Sequence, residues 1–323
     1  MIIKKEAEND WFKSIKGCPP PEKHISSKGL RGFSFLSKKW SWVYKIHKTS
    51  YTSDIKHHII FGSFMDNNIK KKAFTLAEVL ITLGIIGVVA AMTMPSLIQK
   101  HKEKEYAAKL IKFNSLMSQA LITAVSNEGD VTDWGLTYYT TSDGLSDEEL
   151  EQANKSRNLF ADKVMKYLKV IQYCPYGEGC KTGVTKWDRH SMDGTAFSDF
   201  SPYLVLADGT YILGITIMSP ECKANRGTSP ALQNVCGEIF VDVNGKTPPN
   251  ATGKDVFLFY YTKFGLIPMG TAEETGFPFD TYCNLDKPGI LNGYGCSAWV
   301  ITHGNMDYLR CNDLSWNGKT KCR

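Results

Sequence analysis

Glu78 is the residue whose position in the sequence most directly calls for chemistry. It is the only charged residue in an apolar run that covers residues 74–98, FTLAEVLITLGIIGVVAAMTMPSLI. A carboxylate at bilayer depth costs roughly 2.5–3.5 kcal/mol on insertion scales, so it needs a partner there. A free amine produced nearby by proteolysis would be such a partner. Glu78 is therefore a candidate functional residue.

The apolar run itself has the length of a membrane span. As a helix, residues 74–98 would extend ~37 Å, which exceeds the ~30 Å of a hydrocarbon core. The lysines at positions 70–72 precede the run and place that end in the cytoplasm by the positive-inside tendency. Lys100, Lys102 and Lys104 follow the run and weaken this argument. The sequence predicts a single-pass segment with the cysteine-containing body outside.

The stretch KKKAFTLAEV, residues 70–79, resembles the N-terminal signature of type IV pilins and type II secretion pseudopilins. The resemblance rests on the spacing of a basic leader, an aromatic residue, a glutamate and an apolar run. It implies that a prepilin peptidase cuts between Ala73 and Phe74 and methylates the new amine of Phe74. Lys71 and Lys72 are then the basic leader. Glu78 is the assembly carboxylate, which compensates the amine of a neighbouring subunit.

The resemblance has two further consequences. Pro95 lies where the family commonly has a helix-breaking proline, which predicts a kink or a locally loosened helix there. Ala73 departs from the family pattern, because the residue before the cut is usually glycine. Alanine is also small, so processing is expected, with lower efficiency.

Two other interpretations of the run stay open. It is a secretory signal if cleavage follows Ala91, since Val89 and Ala91 suit the small-residue rule. It is a signal anchor if no cleavage occurs. The apolar part of a signal is usually about 7–15 residues long, so the length of the run and Glu78 favour the pilin-like interpretation.

The first 64 residues differ in charge from the rest of the chain. Residues 1–73 hold 15 Lys/Arg against 6 Asp/Glu, whereas residues 74–323 hold 23 against 27. Met65 starts MDNNIKKKA, a short stretch that suits a prepilin leader over residues 65–73. Residues 1–64 are interpreted as an over-extended gene start or a disordered basic extension. The acidic balance of the remainder does not favour nucleic-acid binding.

A long stem helix should carry the candidate residues. Its outer half is predicted over residues 99–126, with apolar residues three or four positions apart on one stripe. The first half, residues 74–98, is apolar on nearly all sides. The stripe residues are Tyr106, Leu110, Phe113, Met117, Ala120 and Ala124.

The head is predicted over residues 127–323. Ser146 and Glu149 have the spacing of a capping box, which predicts a second helix that runs to about Val170. Beyond it, β-rich runs surround the turn Asp208-Gly209, which predicts an antiparallel hairpin and further strands. The expected fold is α+β, with the long stem helix packed on an antiparallel sheet and a disulfide-rich C-terminal region.

Cysteine usage points to an oxidising compartment. Eight of the nine cysteines follow the apolar run, an even number that fits up to four disulfides. Buried thiols or a zinc site are the alternatives, but no C-x-x-C pair is present. The disulfide candidates are Cys174, Cys180, Cys222, Cys236, Cys283, Cys296, Cys311 and Cys322.

Asp242, Asn244 and Asp255 form a candidate calcium site. Oxygen ligands at alternate positions suit calcium, and the stretch is similar to the calcium-binding loop of major pseudopilins. The spacing of an EF-hand is not met. A tight hairpin at Asn244-Gly245 accounts for the same residues, and no other cofactor is expected.

The sequence does not indicate an enzyme. The catalytic motifs of nucleophile elbows, zinc proteases, P-loops and dinucleotide sites are missing from it. GCSAW around Cys296 and the lone His303 lack the required order of a cysteine protease.

The predicted function is that of a structural subunit of a type II secretion pseudopilus or a type IV pilus-like filament, held first in the bacterial inner membrane. The implied partners are a prepilin peptidase, other pilin subunits, an inner-membrane assembly platform and the lipid bilayer. The alternative is a membrane-anchored or secreted disulfide-rich protein with a binding or hydrolase head.

Overall fold

The computed structural model describes residues 75–138, 146–177, 188–196 and 203–322. The predicted leader with Lys71, Lys72 and Ala73, the predicted terminus Phe74, and Cys180 lie outside these residues. The chain divides into two compact units. The described part of one is residues 75–87, and that of the other begins at Val88.

Helix α1 extends from Leu76 to Glu128 and covers the predicted outer half of the stem, residues 99–126, and residues 76–98 of the predicted membrane half. Pro95 lies inside it without interrupting it. Because proline has no N–H, the carbonyl of Ala91 loses its helical hydrogen bond. A bend at this point stays a prediction. The outer half is buried on one side, along the predicted stripe extended by one turn to Glu103.

The second helix, α2, covers Asp147–Val164 and starts with the predicted capping box. Ser146 Oγ accepts a hydrogen bond from the N–H of Glu149, and Glu149 Oε2 accepts one from the N–H of Ser146 at 2.8 Å. The helix ends at Val164, and Met165–Tyr167 form a 3₁₀ turn. The shorter helices are α3, Phe279–Tyr282, and α4, Ser297–His303. Further 3₁₀ turns cover Val131–Asp133, Tyr294–Cys296 and Asp307–Leu309.

The described strands form one six-stranded antiparallel sheet in which each strand pairs with the next along the chain. The hairpin at Asp208-Gly209 is confirmed, because Leu204 pairs with Ile212 across it. The strands are β1 Val170–Tyr173, β2 Leu204–Leu206, β3 Tyr211–Ile217, β4 Val235–Asp242, β5 Val256–Thr262 and β6 Gly265–Pro268.

Strand β5 shows why the sheet is covered on both faces. All seven of its residues are buried. Successive side chains of a strand point to opposite faces, so a run buried throughout needs packing on each side. Phe257, Phe259 and Tyr261 belong to the core that includes the stem helix. Leu258 and Tyr260 belong to a second core on the other face.

The stem contacts the sheet directly through aromatic rings. The centroids of Phe113 in α1 and Phe259 in β5 lie 5.4 Å apart, and Phe160 of α2 lies 4.5 Å from Tyr261. These contacts confirm the predicted α+β fold, a long helix packed on an antiparallel sheet.

The C-terminal region is rich in disulfides, as predicted. Among the described residues, disulfides join Cys222 to Cys236, Cys283 to Cys296 and Cys311 to Cys322. Cys174 is also disulfide-bonded.

Candidate functional site

Glu78 caps the first turn of the stem helix. Its Oε2 atom accepts hydrogen bonds from the N–H of Thr75 at 2.8 Å and from Thr75 Oγ1 at 2.9 Å. Thr75 Oγ1 in turn accepts a hydrogen bond from the N–H of Glu78. This is a capping box, which satisfies donors that a helix start leaves without partners. Within the described residues, the second oxygen Oε1 accepts no hydrogen bond.

The first half of α1 is exposed along its length. The helix is long and apolar enough to cross a membrane, and the apolar window that meets this criterion is not buried by the protein. Leu80, Ile81 and Ile86 each expose about 60% of their surface. Large exposed apolar surfaces of this kind require a cover of lipid or protein.

The loop between β4 and β5 is longer than the tight hairpin considered from the sequence. Asp242 pairs with Val256, so residues 243–255 form the connection, and the hairpin interpretation of Asn244-Gly245 is wrong. Pro248 and Pro249 lack the N–H groups that a strand ladder needs. Asp255 closes the loop, because its carboxylate accepts hydrogen bonds from backbone amides at 2.9 and 2.7 Å.

The predicted calcium ligands lie together at the base of this loop. Asp242 and Asp255 are completely buried. Asp242 Oδ1 accepts a hydrogen bond from the N–H of Asn244, and Asn244 Nδ2 donates one to the hydroxyl of Tyr106 on the stem helix at 2.9 Å. The loop is therefore tied both to the sheet and to the stem.

The two buried carboxyl groups oppose each other's ionisation. Burial raises the pKa of Asp242 well above its ordinary value, and the charge of Asp255 raises it further. Burial also raises the pKa of Asp255 to about 6, although the backbone amides of Ala251 and Asn250 act in the opposite direction. Near neutral pH, binding of a proton or a cation would reduce the repulsion between the two carboxylates.

The oxygen atoms at this site fit a small cation in part. Asp242 Oδ2 and Asn244 Oδ1 are buried and accept no hydrogen bond within the described chain. Both oxygens of Asp255 are already held by amides. The described residues contain no group of three or more His, Cys, Asp or Glu side chains that could hold a metal. Calcium binding stays a prediction.

The carboxyl pair should make stability fall as pH rises. The pKa of Asp255 goes from an ordinary 3.8 to about 6 on folding, so the folded state binds more protons between these values. Stability contributed by such a group is present at low pH and lost as pH passes the folded pKa. As pH rises from 4 to 7, we expect the free energy of unfolding to fall by about 1–3 kcal/mol less in the Asp242→Asn variant than in the wild type. Chemical denaturation across this pH range measures the difference.

The exposed Asp280, which makes no side-chain hydrogen bond with the rest of the described chain, supplies the matched control. The Asp280→Asn variant should keep the wild-type pH dependence. An equal effect of both substitutions would contradict the role of the buried pair.

The same variants test calcium binding at pH 7.5. A rise in Tm on adding calcium that the Asp242→Asn variant lacks would support the predicted ion, and an unchanged wild-type Tm would contradict it.

An ion pair between a buried carboxylate of the stem and the C-terminal region was missed from the sequence. Glu103 of α1 is only 7% exposed and pairs with Arg310. Arg310 also pairs with Asp307, whose Oδ2 accepts a hydrogen bond from the N–H of Cys322. The Cys311–Cys322 disulfide and this charge cluster thus hold the same segment against the stem. The available signal was the position of Glu103, three residues before Tyr106 on the apolar stripe.

The residues considered for catalysis have structural partners. Cys296 is bonded to Cys283 and is not a free thiol nucleophile. His303 packs against Trp299, with ring centroids 4.2 Å apart, and against Trp316 at 5.4 Å. Burial lowers the pKa of His303. The histidine is part of an aromatic cluster, and every cysteine of the described residues is disulfide-bonded.

Comparison with known families defines the class of this protein. A model of the prokaryotic N-terminal methylation motif matches residues 68–94, the segment that contains Phe74 and Glu78. This motif, together with a stem helix packed on an antiparallel sheet, makes the chain a pilin-like protein of the type IV pilin and pseudopilin class. A second model, described as a family of unknown function (DUF6613), matches residues 96–275, more than half of the chain. The chain belongs to this family. No curated protein and no solved structure matches the chain.

Proposed function

We propose that this protein is a prepilin-like subunit of the bacterial inner membrane that is processed and assembled into a pseudopilus or type IV pilus-like filament. Such a filament acts in protein secretion or surface attachment. Residues 65–73 are the leader, residues 74–98 span the membrane and residues 99–126 form the outer stem. Residues 127–323 form the head on the far side of the membrane.

The placement of Glu78 is the observation that carries this proposal. Cleavage before Phe74 would create an amine next to Thr75, the residue that shares the helix cap with Glu78. Because Oε2 of Glu78 bonds to Thr75, Oε1 is left for the terminal amine of a neighbouring subunit. An uncompensated buried charge in the filament core would cost about 3–5 kcal/mol. Pairing of the amine with the carboxylate therefore favours assembly in register.

Exposed apolar side chains along the stem support the same proposal. Residues 76–98 are covered by lipid in the membrane and would be covered by other stems in a filament. Beyond this segment, Ile111, Leu116 and Ile122 expose 41%, 43% and 59% of their surface. These side chains lie on the part of the outer stem that the head leaves open, where a neighbouring subunit can pack.

Mass spectrometry of the envelope-purified protein, with and without a co-expressed prepilin peptidase, tests the processing step. We expect a new N-terminus at N-methylated Phe74 only when the peptidase is present. A terminus at Met92 would identify a secreted protein, and an uncut chain would identify a plain membrane anchor. Either result would overturn the proposal and leave the alternative of an unassembled binding or hydrolase head.

Substitution of Glu78 tests the assembly step. The Glu78→Gln variant removes the charge with almost no change in shape, so processing should continue while filament yield falls by at least tenfold. Glu105→Gln is the matched control, because Glu105 is an exposed glutamate of the same helix that pairs with Lys109 outside the membrane segment. Filament yield is measured by shearing and sedimentation. Normal yield from the Glu78→Gln variant would refute the role of this carboxylate.

A further inference from the structure

A cavity of about 340 Å³ lies where the stem helix leaves the apolar run. We propose that this membrane-proximal cavity, between residues 99–106 of the stem and the β4–β5 loop, binds the phosphate headgroup of an anionic phospholipid. The inference rests on the proposed membrane insertion of the stem. It adds a binding site that neither filament assembly nor processing requires.

The height of the cavity along the helix matches that of a lipid headgroup. Ile98 ends the apolar run, and Lys102, which lines the cavity, lies four residues further on. At ~1.5 Å per residue, this places Lys102 ~6 Å beyond the run. The polar layer of each leaflet is roughly 5–8 Å thick, so the cavity faces this layer when the run is in the bilayer.

Two lysines give the cavity its positive charge. Lys102 on the stem and Lys254 on the β4–β5 loop both line it. Neither forms an ion pair within the described residues, where the ion pairs involve other lysines. A phosphate between them would be bound from both walls, since a phosphodiester accepts hydrogen bonds from ammonium groups.

The acidic residue in the cavity wall is already neutralised. Glu103 pairs with Arg310, and its Oε1 accepts a hydrogen bond from Gln99 Nε2 at 3.2 Å. The carboxylate therefore does not compete with a phosphate for Lys102 or Lys254. The side chains that line the cavity carry two positive charges, Lys102 and Lys254, and one negative charge, Glu103.

The remaining wall is apolar. Pro248 and Pro249 line it from the loop, and Leu285 lines it from the C-terminal region. Leu285 is 38% exposed, so it offers apolar surface at the edge of the cavity. This combination suits a lipid, whose glycerol and upper acyl chains can contact the apolar side while the phosphate contacts the lysines.

Native mass spectrometry of the full-length protein in neutral detergent tests the proposal. The protein is equilibrated with equal amounts of phosphatidylglycerol and phosphatidylcholine that have the same acyl chains. We expect a bound-lipid population in which phosphatidylglycerol predominates. In the Lys102→Gln/Lys254→Gln variant, this preference should fall by roughly tenfold or more, because each lysine near an anionic lipid contributes to its binding.

The Lys100→Gln/Lys104→Gln variant is the matched control. It removes the same number of positive charges, from exposed helix residues on either side of Lys102 that do not line the cavity, and should keep the preference. An equal loss in both variants would show diffuse attraction and overturn the site. Displacement of the lipid by millimolar inorganic phosphate would also overturn the headgroup site, because the cavity would then bind free anions. A lipid-free dimer in which a second copy of the chain occupies the cavity would overturn it as well.

Failure of this proposal is distinguishable from failure of the proposed function. Flotation of the protein with vesicles first establishes whether the stem inserts into a bilayer. A protein that inserts and is processed at Phe74 but shows no preference for phosphatidylglycerol would refute the headgroup site alone. A protein that does not float would refute the membrane stem on which both proposals depend.

Discussion

Replacement of Phe113 with alanine is expected to lower the free energy of unfolding by about 3–5 kcal/mol. Phe113 is 1% exposed and contacts Phe259 in strand β5 of the sheet. The substitution removes apolar burial and leaves a cavity between two rigid elements, the stem helix and a strand covered on both faces. Because Phe113 lies at the junction of stem and head, its truncation should weaken the packing of the stem on the head more than a substitution elsewhere in the head.

Ile111→Ala is the matched control for Phe113→Ala. It also truncates a large apolar side chain of the outer stem, but Ile111 is 41% exposed and lies away from the sheet. Its loss should cost under about 1 kcal/mol. Chemical denaturation of the full chain in detergent, followed by near-ultraviolet circular dichroism, measures both. Equal losses would show that the stem does not pack on the head through Phe113.

Replacement of Arg310 with methionine is the second substitution with a large expected effect. Arg310 is the partner of Glu103, whose side chain is 9% exposed, so the variant would leave a carboxylate buried without its cation. Breaking a fully buried pair costs about 3–5 kcal/mol. The side chain of Arg310 is 34% exposed, which reduces the expected loss to about 2–3 kcal/mol.

A double-mutant cycle separates the ion pair from other contacts of Arg310. The Glu103→Gln/Arg310→Met variant removes the stranded charge and should recover at least about 1 kcal/mol of the loss. Lys319→Met is the control, since Lys319 forms an exposed pair with Asp313 and should lose about 0–1 kcal/mol. A double variant less stable than Arg310→Met alone would contradict the assignment of the loss to an unpaired Glu103.

Features with a local sequence signal were predictable. The stem stripe, the capping box at Ser146 and the turn at Asp208-Gly209 each depend on residues within about one or two turns of chain. The processing motif is local as well. The sequence also carried the signal for the Glu78 cap, because Thr75 and Glu78 have the spacing of a capping box. A lone carboxylate in a membrane-length apolar run predicts an intermolecular partner instead.

Features that depend on distant residues were not predictable. Glu103 and Arg310 are separated by 207 positions, and neither position alone indicates the other. Lys102 and Lys254 become neighbours of one cavity only after the loop folds against the stem. Strand β1 was missed because its four residues, none of them buried, carry no clear period. The long β4–β5 loop depends on Pro248 and Pro249 and on the hydrogen bonds that the Asp255 carboxylate accepts from backbone amides. The Asn244-Gly245 pair alone does not reveal these features.

The strictly sequential order of the sheet bears on how the head matures. Each strand pairs with the one made just before it, and the disulfides of the described chain join cysteines only 14, 13 and 11 positions apart. Contacts between near neighbours in sequence form quickly, since little chain entropy is lost to close each loop. In the proposed export of the head, the sheet and the Cys222–Cys236 disulfide can therefore form before the segment that carries Cys311 and Cys322 arrives. Arg310 lies downstream of all six strands, so its pairing with Glu103 would join the C-terminal region to the stem only after the sheet has formed.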